Sequence, residues 1–322
     1  MSSTATTEVP RLTLAISACL LGDNVRFNGG HKQSSLCSTM LSQYFDFAPL
    51  CPEMAIGLGV PREPIRLVGN PQAPRAVGSV HPDRDVTTAL IEYGNNMAAQ
   101  LPHISGLIVM QKSPSCGMER VKVYQDGGRP AERGEGVFTR AFSQQRPNVP
   151  IEEEGRLNDP VLRENFIVRV YAYGAWQALC AQGLTREGLI SFHARYKYVL
   201  MAHDAHKARL LGRLLGEMSM YDLPSLADRY FTLFMQALKK CATRGTHTNV
   251  LHHMLGFLRD SLPADDRAEI QHLIEQYHQG IVPLVVPLTM LKSHFRRHPD
   301  AYIALQVYLQ PYPEQLSLRN SI

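Results

Sequence analysis

Several kinds of sequence feature are missing from this chain, and each absence narrows what the protein can be. Six cysteines are scattered over 322 residues and none forms a CxxC pair, so neither a disulfide framework nor a two-pair zinc site is expected. No apolar run reaches the roughly 20 residues of a transmembrane helix. The start, MSSTATTEVPRLTLAIS, is polar, and its short apolar stretch continues into CLLGDNVRFNGG, which reads as part of the fold. A secretory signal is therefore not expected, and the cytoplasm is the expected location. There is no HExxH, no internal repeat, no low-complexity segment and no arginine-rich stripe. Charge is also nearly balanced: residues 1–160 carry 15 Lys plus Arg against 16 Asp plus Glu, and residues 161–322 carry 18 against 13. The basic excess of the second half permits an anionic partner without requiring one.

What is present divides into two kinds of pattern. In the first half, short apolar runs alternate with loops and helical stretches. LTLAIS and FAPLC have strand character, and ISGLIVMQ is a continuous apolar run of the kind that suits a strand buried on both faces of a parallel sheet. Between them, LCSTMLSQYF reads as helical, and VTTALIEYGNNMAAQL has apolar positions at helical spacing with Asp85 as its cap. Strand, helix and strand in this order predict an α/β three-layer, Rossmann-like domain with a parallel sheet. Right-handed crossovers then bring the ends of Ile16, Leu50 and Met110 to one edge. Residues 124–160 are rich in loop signals, with GVFTRAFSQQ as a short helix. Beyond Pro160 nearly every segment has helical periodicity, with Thr185 capping a long stretch, Gly245 ending another, and Pro263 and Gly280 bracketing a third. The predicted organisation is an α/β domain over 1–158 and an all-α domain over 159–322.

Cys19, Cys51 and Cys116 each follow a strand-like run and sit among Gly, Pro and Ser. Strand C-terminal ends of an α/β sheet meet at the crevice where ligands bind. Three thiolates there could hold a soft metal or cluster and leave a position open for substrate. Spacing alone also allows three ordinary buried cysteines. The same two readings apply to their neighbours. Glu53, in LCPEM, is either a solvated loop acid or a proton relay. Ser113 and Ser115, in KSPSCG, are either turn residues or hydroxyls that orient a substrate. Asn28 and Gly29, in RFNGG, form a tight turn or a substrate contact, and Arg26, Lys32 and Lys112 are solvated cations or phosphate contacts. Cys180 reads as a buried apolar residue and Cys241 as structural; Cys37 has no assigned role.

The motifs SACLLG, RFNGG, PLCPE and KSPSCG occur in this order over roughly residues 10–150 and together resemble the DUF523 family of thiouracil desulfurases. HARYKYVLMAHD, RGTHTNVLHHMLGFL and PLVVPLTMLKSH resemble DUF1722, the YbgA-type domain, over roughly residues 185–315. The first resemblance implies a [4Fe–4S] cluster held by Cys19, Cys51 and Cys116, with a fourth iron that binds the sulfur of a thiolated pyrimidine. It implies hydrolysis of the C–S bond to the oxo pyrimidine and hydrogen sulfide, with Glu53 moving protons and Ser113 as a second catalytic group. Substrate contacts would come from Asn28, Gly29, Ser115, Lys112 and Arg26. The partner implied is a small thiolated pyrimidine base, nucleoside or nucleotide, with no membrane partner. Val25 stands where many family members carry a further cysteine, so that cysteine is not part of this cluster.

The helical half carries no motif of comparable content. His193 and Lys197, and His203 and Lys207, share helix faces with Arg195, Tyr196, Tyr198 and Arg209 nearby. These read as a solvated face, or as an anion-binding surface. Adjacent His252 and His253 point to different faces and do not make a joint metal site with His247. Two other functions remain compatible with the sequence: a cluster- or zinc-containing RNA-binding or sensing module without turnover, and a structural zinc protein.

Overall fold

A computed structural model describes residues 11–125 and 130–322, which divide into two compact units, one ending at Asn158 and one running from Asp159 to Ile322. In chain order the strands of the first unit are β1 (Leu12–Ser17), β2 (Phe45–Leu50), β3 (Ile65–Val68), β4 (Arg75–Gly78), β5 (Gly106–Val109), β6 (Val121–Tyr124), β7 (Pro130–Gly134) and β8 (Ile151–Glu153). Its helices are α1 (Pro52–Ala55), α2 (Thr87–Gln100) and α3 (Val137–Gln145). Four strands form a wholly parallel sheet in the order β2-β1-β5-β8, flanked by helices. The register sets Ser17 opposite Leu50, Ile16 opposite Ile108 and Val109 opposite Glu153. Leu14, Ala15 and Ile16 of β1 and Leu107, Ile108 and Val109 of β5 are completely buried, as continuous apolar runs require.

The chain steps outward from β1 to β2 in one direction and from β5 to β8 in the other. The crevice between β1 and β5 is therefore the topological switch point of the sheet. On α2, a Cβ added to Gly94 would lie 2.8 Å from Ala141 Cβ and 2.9 Å from the Phe138 carbonyl, so α2 and α3 meet with no room for a side chain.

Several local readings need correction. LCSTMLSQYF does not form a regular helix; it winds as one π turn over Leu36–Met40 and a 3-10 turn over Leu41–Gln43. Asp85 accepts a hydrogen bond from Thr87 N at 2.9 Å, yet the cap position of α2 falls one residue later, on Val86. A second sheet, ordered β4-β3-β6-β7, was not read from the sequence at all. Its hairpins β3/β4 and β6/β7 are antiparallel, β3 and β6 pair in parallel, and Leu67, Ala76, Val121 and Val123 bury against Leu90 and Val137. Strands of four or five residues show too little alternation to stand out from loop. β7 and β8 both fall in the stretch read as loop-rich.

The second unit is helical: α4 (Pro160–Ala181), α5 (Arg186–Gly216), α6 (Leu223–Leu238), α7 (Arg244–Gly256), α8 (Ala264–His278), α9 (Val285–Arg297) and α10 (Ala301–Ala304). Side chains set the starts. Asp159 accepts from the N–H groups of Val161 and Leu162, Thr185 from Gly188 N at 3.0 Å, and Asp222 from Ser225 N at 2.9 Å. Gly245 does not end a helix; it lies in the first turn of α7, whose capping box pairs Thr243 with Thr246. α5 is broken at Asp204, where φ is −151° and the carboxylate caps a fresh start by accepting from His206 N and Lys207 N. Cys180 is exposed, contrary to expectation, because it sits at the solvated end of α4. Among the described residues no helix is long and apolar enough to cross a membrane.

The core of this unit is aromatic around Trp176, which stacks on Phe231 with ring centroids 4.5 Å apart. It also holds a polar network. Glu164 accepts from Tyr312 Oη at 3.2 Å and from Arg319 Nε at 3.4 Å, while His247 Nδ1 meets Tyr308 Oη at 2.8 Å. His203 Nδ1 lies 2.7 Å from the Lys240 carbonyl. Burial holds both His203 and His247 below the ordinary histidine range, His247 strongly so, since a buried imidazolium is poorly solvated. The unfolded chain binds protons at these positions near pH 6.5 while the fold resists them. The stability these two histidines contribute is thus complete above that pH and falls as pH drops below it. Trp176, the chain's single tryptophan, reports on this unit. Urea midpoints followed by its fluorescence should fall between pH 7.5 and 5, and fall less steeply in His247→Gln. Equal slopes in the two proteins would refute the assignment.

Candidate active site

The parallel register delivers the three cysteines to one place. β1 ends at Ser17, and Cys19 follows on a single 3-10 turn, Ala18–Leu20. β2 ends at Leu50, and Cys51 occupies the N-cap position of α1. Cys116 lies in a tight turn after β5, where Gly117 N donates to the Ser113 carbonyl at 2.8 Å and Cys116 N donates to Ser113 Oγ at 3.1 Å. Gly136 closes the turn from behind: its N–H reaches the Gly117 carbonyl, and an added Cβ would lie 2.5 Å from the Ser115 oxygen. All three cysteines line one cavity of about 440 Å³, together with Ser17, Glu53, Arg62 and Ser113. This lies within the usual size range of a small-molecule site.

Burial raises all three thiols: Cys19 to about 11, Cys51 less, and Cys116 well above the ordinary value. Cys116 is pushed further by Glu53, Cys51 and Cys19, and Cys19 by Cys51, so the three sulfurs are close enough to feel one another's charge. Three soft, shielded donors facing one cavity suit a thiophilic metal group, which would itself deprotonate them. Among the described residues no three His, Cys, Asp or Glu side chains are grouped closely enough to share a single metal ion.

The polar side of the cavity is built on Glu53. Ser115 Oγ donates to Glu53 Oε1 at 2.7 Å, and Arg62 Nη2 donates to Glu53 Oε2 in a close ion pair. Ser17, buried beside Cys116, receives Met110 N on its hydroxyl oxygen at 3.0 Å. Two buried glutamates at the end of β8 hold the Cys116 loop: Glu153 accepts from Met118 N and Glu154 from Gln111 N, each at 2.8 Å. Glu152 faces Arg156 Nε at 2.6 Å.

Of the residues named from sequence, Glu53, Ser113, Arg26, Lys32 and Lys112 line this cavity with the three cysteines. Ser115 is fully buried and serves Glu53. Asn28 and Gly29 do not line the cavity; Asn28 Oδ1 accepts from Gly30 N at 3.2 Å and Gly29 takes φ +75°, which makes the segment a turn. Ser17, Arg62, Glu153 and Glu154 were missed. The acids left a trace, since three glutamates in succession are unusual at the end of a sheet strand. Arg62 left none. Cys37 is fully buried and does not line the cavity.

A second cavity, about 760 Å³, adjoins the first and shares Ile65, Lys112 and Pro114 with it. Among the described residues, Arg66, Lys112, Arg120, Lys122 and Arg133 line it and no acidic side chain does. Arg66 Nε is buried there without a hydrogen-bond partner, and Lys112 holds a left-handed backbone, φ +59°. In the helical unit, the face read as solvated is largely core: Tyr196, Tyr198 and His203 are buried, and His193 Nδ1 contacts Tyr230 Oη at 3.2 Å.

Comparison with known proteins places both halves. Residues 14–154 match the family described as 2-thiouracil desulfurase, and residues 197–313 match DUF1722, described as a protein of unknown function. The uncharacterized protein YbgA of Escherichia coli is 31% identical over 159 residues, 49% of this chain and 94% of YbgA. The uncharacterized protein YbbK of Bacillus subtilis is 29% identical over 110 residues, 32% of this chain and 72% of YbbK. Among solved structures, the [4Fe-4S]-dependent thiouracil desulfidase TudS is 29% identical, with a TM-score of 0.37, covering 46% of this chain and 94% of its own. The chain thus belongs with YbgA to the DUF1722 family, and its α/β unit matches the family described as 2-thiouracil desulfurase.

Proposed function

We propose that the protein is a [4Fe–4S]-dependent desulfidase that replaces the sulfur of a thiolated pyrimidine by oxygen. The reading rests on one observation above all: two buried cysteines, a half-buried third and a held carboxylate surround a single cavity at the edge of a parallel sheet, in a unit that matches the thiouracil desulfurase family. Cys19, Cys51 and Cys116 would hold the cluster. When bound, it supplies a soft Lewis acid for a thiocarbonyl sulfur. The overall change is hydrolytic. The ring carbon gains the oxygen of water and loses sulfur, both water protons leave on hydrogen sulfide, and no electrons are exchanged. Glu53 is placed to take a proton from water and return it to the departing sulfur. Ser113 Oγ accepts from the N–H groups of Ser115 and Cys116, so its own proton remains available to orient substrate.

The adjoining cationic cavity favours a substrate that carries phosphate. Five Lys and Arg side chains, with no acid among the described lining residues, would stabilise a dianion beside the pyrimidine site, with Lys112 common to both. No such demand arises from a free base.

Anaerobic incubation with 4-thiouracil, 2-thiouracil and 4-thiouridine monophosphate should release sulfide, and Glu53→Gln should lower kcat by about 10²–10⁴ while keeping the iron. No sulfide from any of the three compounds would sink the reading. Cys19→Ala, Cys51→Ala and Cys116→Ala should each lose iron and acid-labile sulfide from anaerobically purified protein; full iron content in all three would rule out the ligand set. Arg66→Ala combined with Lys122→Ala should raise KM for the monophosphate about tenfold or more and leave KM for 4-thiouracil unchanged, since each charge-assisted contact contributes about 1.5–3 kcal/mol. An equal effect on both substrates would refute the phosphate site.

A further inference from the structure

Arg62 reaches the main cavity from a turn nine residues beyond Glu53, and its side chain is only 3% exposed. Its Nη1 donates to the Gly59 carbonyl at 2.7 Å, and its Nη2 donates to the Val25 carbonyl at 3.0 Å as well as to Glu53 Oε2. A guanidinium is planar and presents its N–H groups in a fixed fork. Two bonds to backbone carbonyls therefore fix the direction in which the group meets the carboxylate. On the other side, Ser115 Oγ holds Glu53 Oε1 at 2.7 Å, and Ser115 is completely buried. Each carboxylate oxygen thus has its own rigid partner, and the partners come from different segments.

The connections have a second consequence. Val25 belongs to the loop that follows Cys19, and its carbonyl also lies 3.9 Å from Cys51 Sγ. Glu53 belongs to α1, which Cys51 caps, and Ser115 precedes Cys116. Hydrogen bonds running from Val25 through Arg62 and Glu53 to Ser115 therefore cross all three cysteine-bearing segments. Without the guanidinium, Ser115 would fix one oxygen of a side chain with three rotatable bonds, and the carboxylate could swing about that contact.

We infer that Arg62 is the positioning residue of this site: anchored on the Val25 and Gly59 carbonyls, it aims the Glu53 carboxylate into the cavity. The inference rests on the desulfidase reading only for the reaction that the aimed carboxylate serves. A lysine at this position would keep the charge and lose the fork. A mere tie between loops would instead show as loss of the metal group.

The test compares Arg62→Ala and Arg62→Lys with the parent protein, all purified anaerobically. Iron and sulfide content should be unchanged. With 4-thiouridine monophosphate, kcat should fall about a hundredfold in Arg62→Ala, the size of effect expected when a catalytic group is misplaced by about 1 Å, with KM within twofold. Arg62→Lys should recover only a small part of this. Millimolar guanidinium should restore turnover to Arg62→Ala and not to Glu53→Gln. Crystal structures of the two variants should show Glu53 turned away from Ser115 with Cys19, Cys51 and Cys116 in place. Parental kcat in Arg62→Ala, full recovery in Arg62→Lys, loss of iron, or Glu53 unmoved on Ser115 would each overturn the inference. If the parent protein releases no sulfide, the desulfidase reading fails by itself, and the Glu53 position in the variant crystals still decides the role of Arg62.

Discussion

Parallel pairing of four short strands is the constraint from which the site follows. Ser17 lies opposite Leu50, Ile16 opposite Ile108 and Val109 opposite Glu153, so β1, β2, β5 and β8 all end at one edge. A slip of one residue in any pair would move side chains to the opposite packed face, where they do not fit, and carry the following loop with them. Leu14, Ile16, Leu107 and Ile108, all completely buried, make such a slip costly. The cysteines need no sequence proximity to one another, because the register supplies it. The same edge places two strand ends on either side of the switch point, which leaves a crevice no connection crosses.

Holding irregular loops at that edge requires polar partners for buried backbone. The chain after β5 cannot continue the sheet, since it must turn to present Cys116. Its N–H groups are met by carboxylates: Gln111 N by Glu154 and Met118 N by Glu153, with Ser113 Oγ taking Cys116 N. A charged acceptor contributes about 1.5–3 kcal/mol more than an unmet donor would leave. The acids are therefore accounted for as loop supports, and their burial lets them raise nearby thiols, as Glu154 does for Cys19. Acid and thiol close together in a shielded space favour a group that brings positive charge, which is a further reason to place metal there.

The sequence made the central architecture legible and left its supports obscure. LTLAIS and ISGLIVMQ were long and apolar enough to mark buried parallel strands, and the turn to helix at Pro160 was plain because Asp159 and Pro160 form a strong start. The three cysteines were legible for the same reason, as each followed a recognisable strand. The second sheet was not, because four residues such as IRLV or RAVG carry no usable period. Nor was the partner of Glu53. Arg62 stands nine positions away, beyond any helical or strand repeat, and only the fold of the intervening turn brings it back. Gly245 shows the reverse error, a residue of known habit given its usual role, while Asp204 lies unmarked inside a continuous helical pattern. A glycine can sit in a first helical turn when a capping box already starts the helix, and an aspartate inside a helical pattern can stop and restart it.

Polar groups are buried in both units, yet they do different things. In the helical unit Glu164, Arg319, Tyr308, Tyr312 and His247 satisfy one another, and the neutral histidine avoids the cost of a buried cation. Such a network specifies packing. In the α/β unit the corresponding groups surround a cavity: Glu53 is held at both oxygens while still lining open space, and Ser113 accepts twice and keeps its proton. Arg66, beside the adjoining cavity, has a buried Nε with no hydrogen-bond partner among the described residues, while its guanidinium lies 5.7 Å from the centre of the Tyr124 ring. Hydrogen bonds in the helical unit tie α4 to the C-terminal segment, whereas those in the α/β unit hold a carboxylate beside three cysteines.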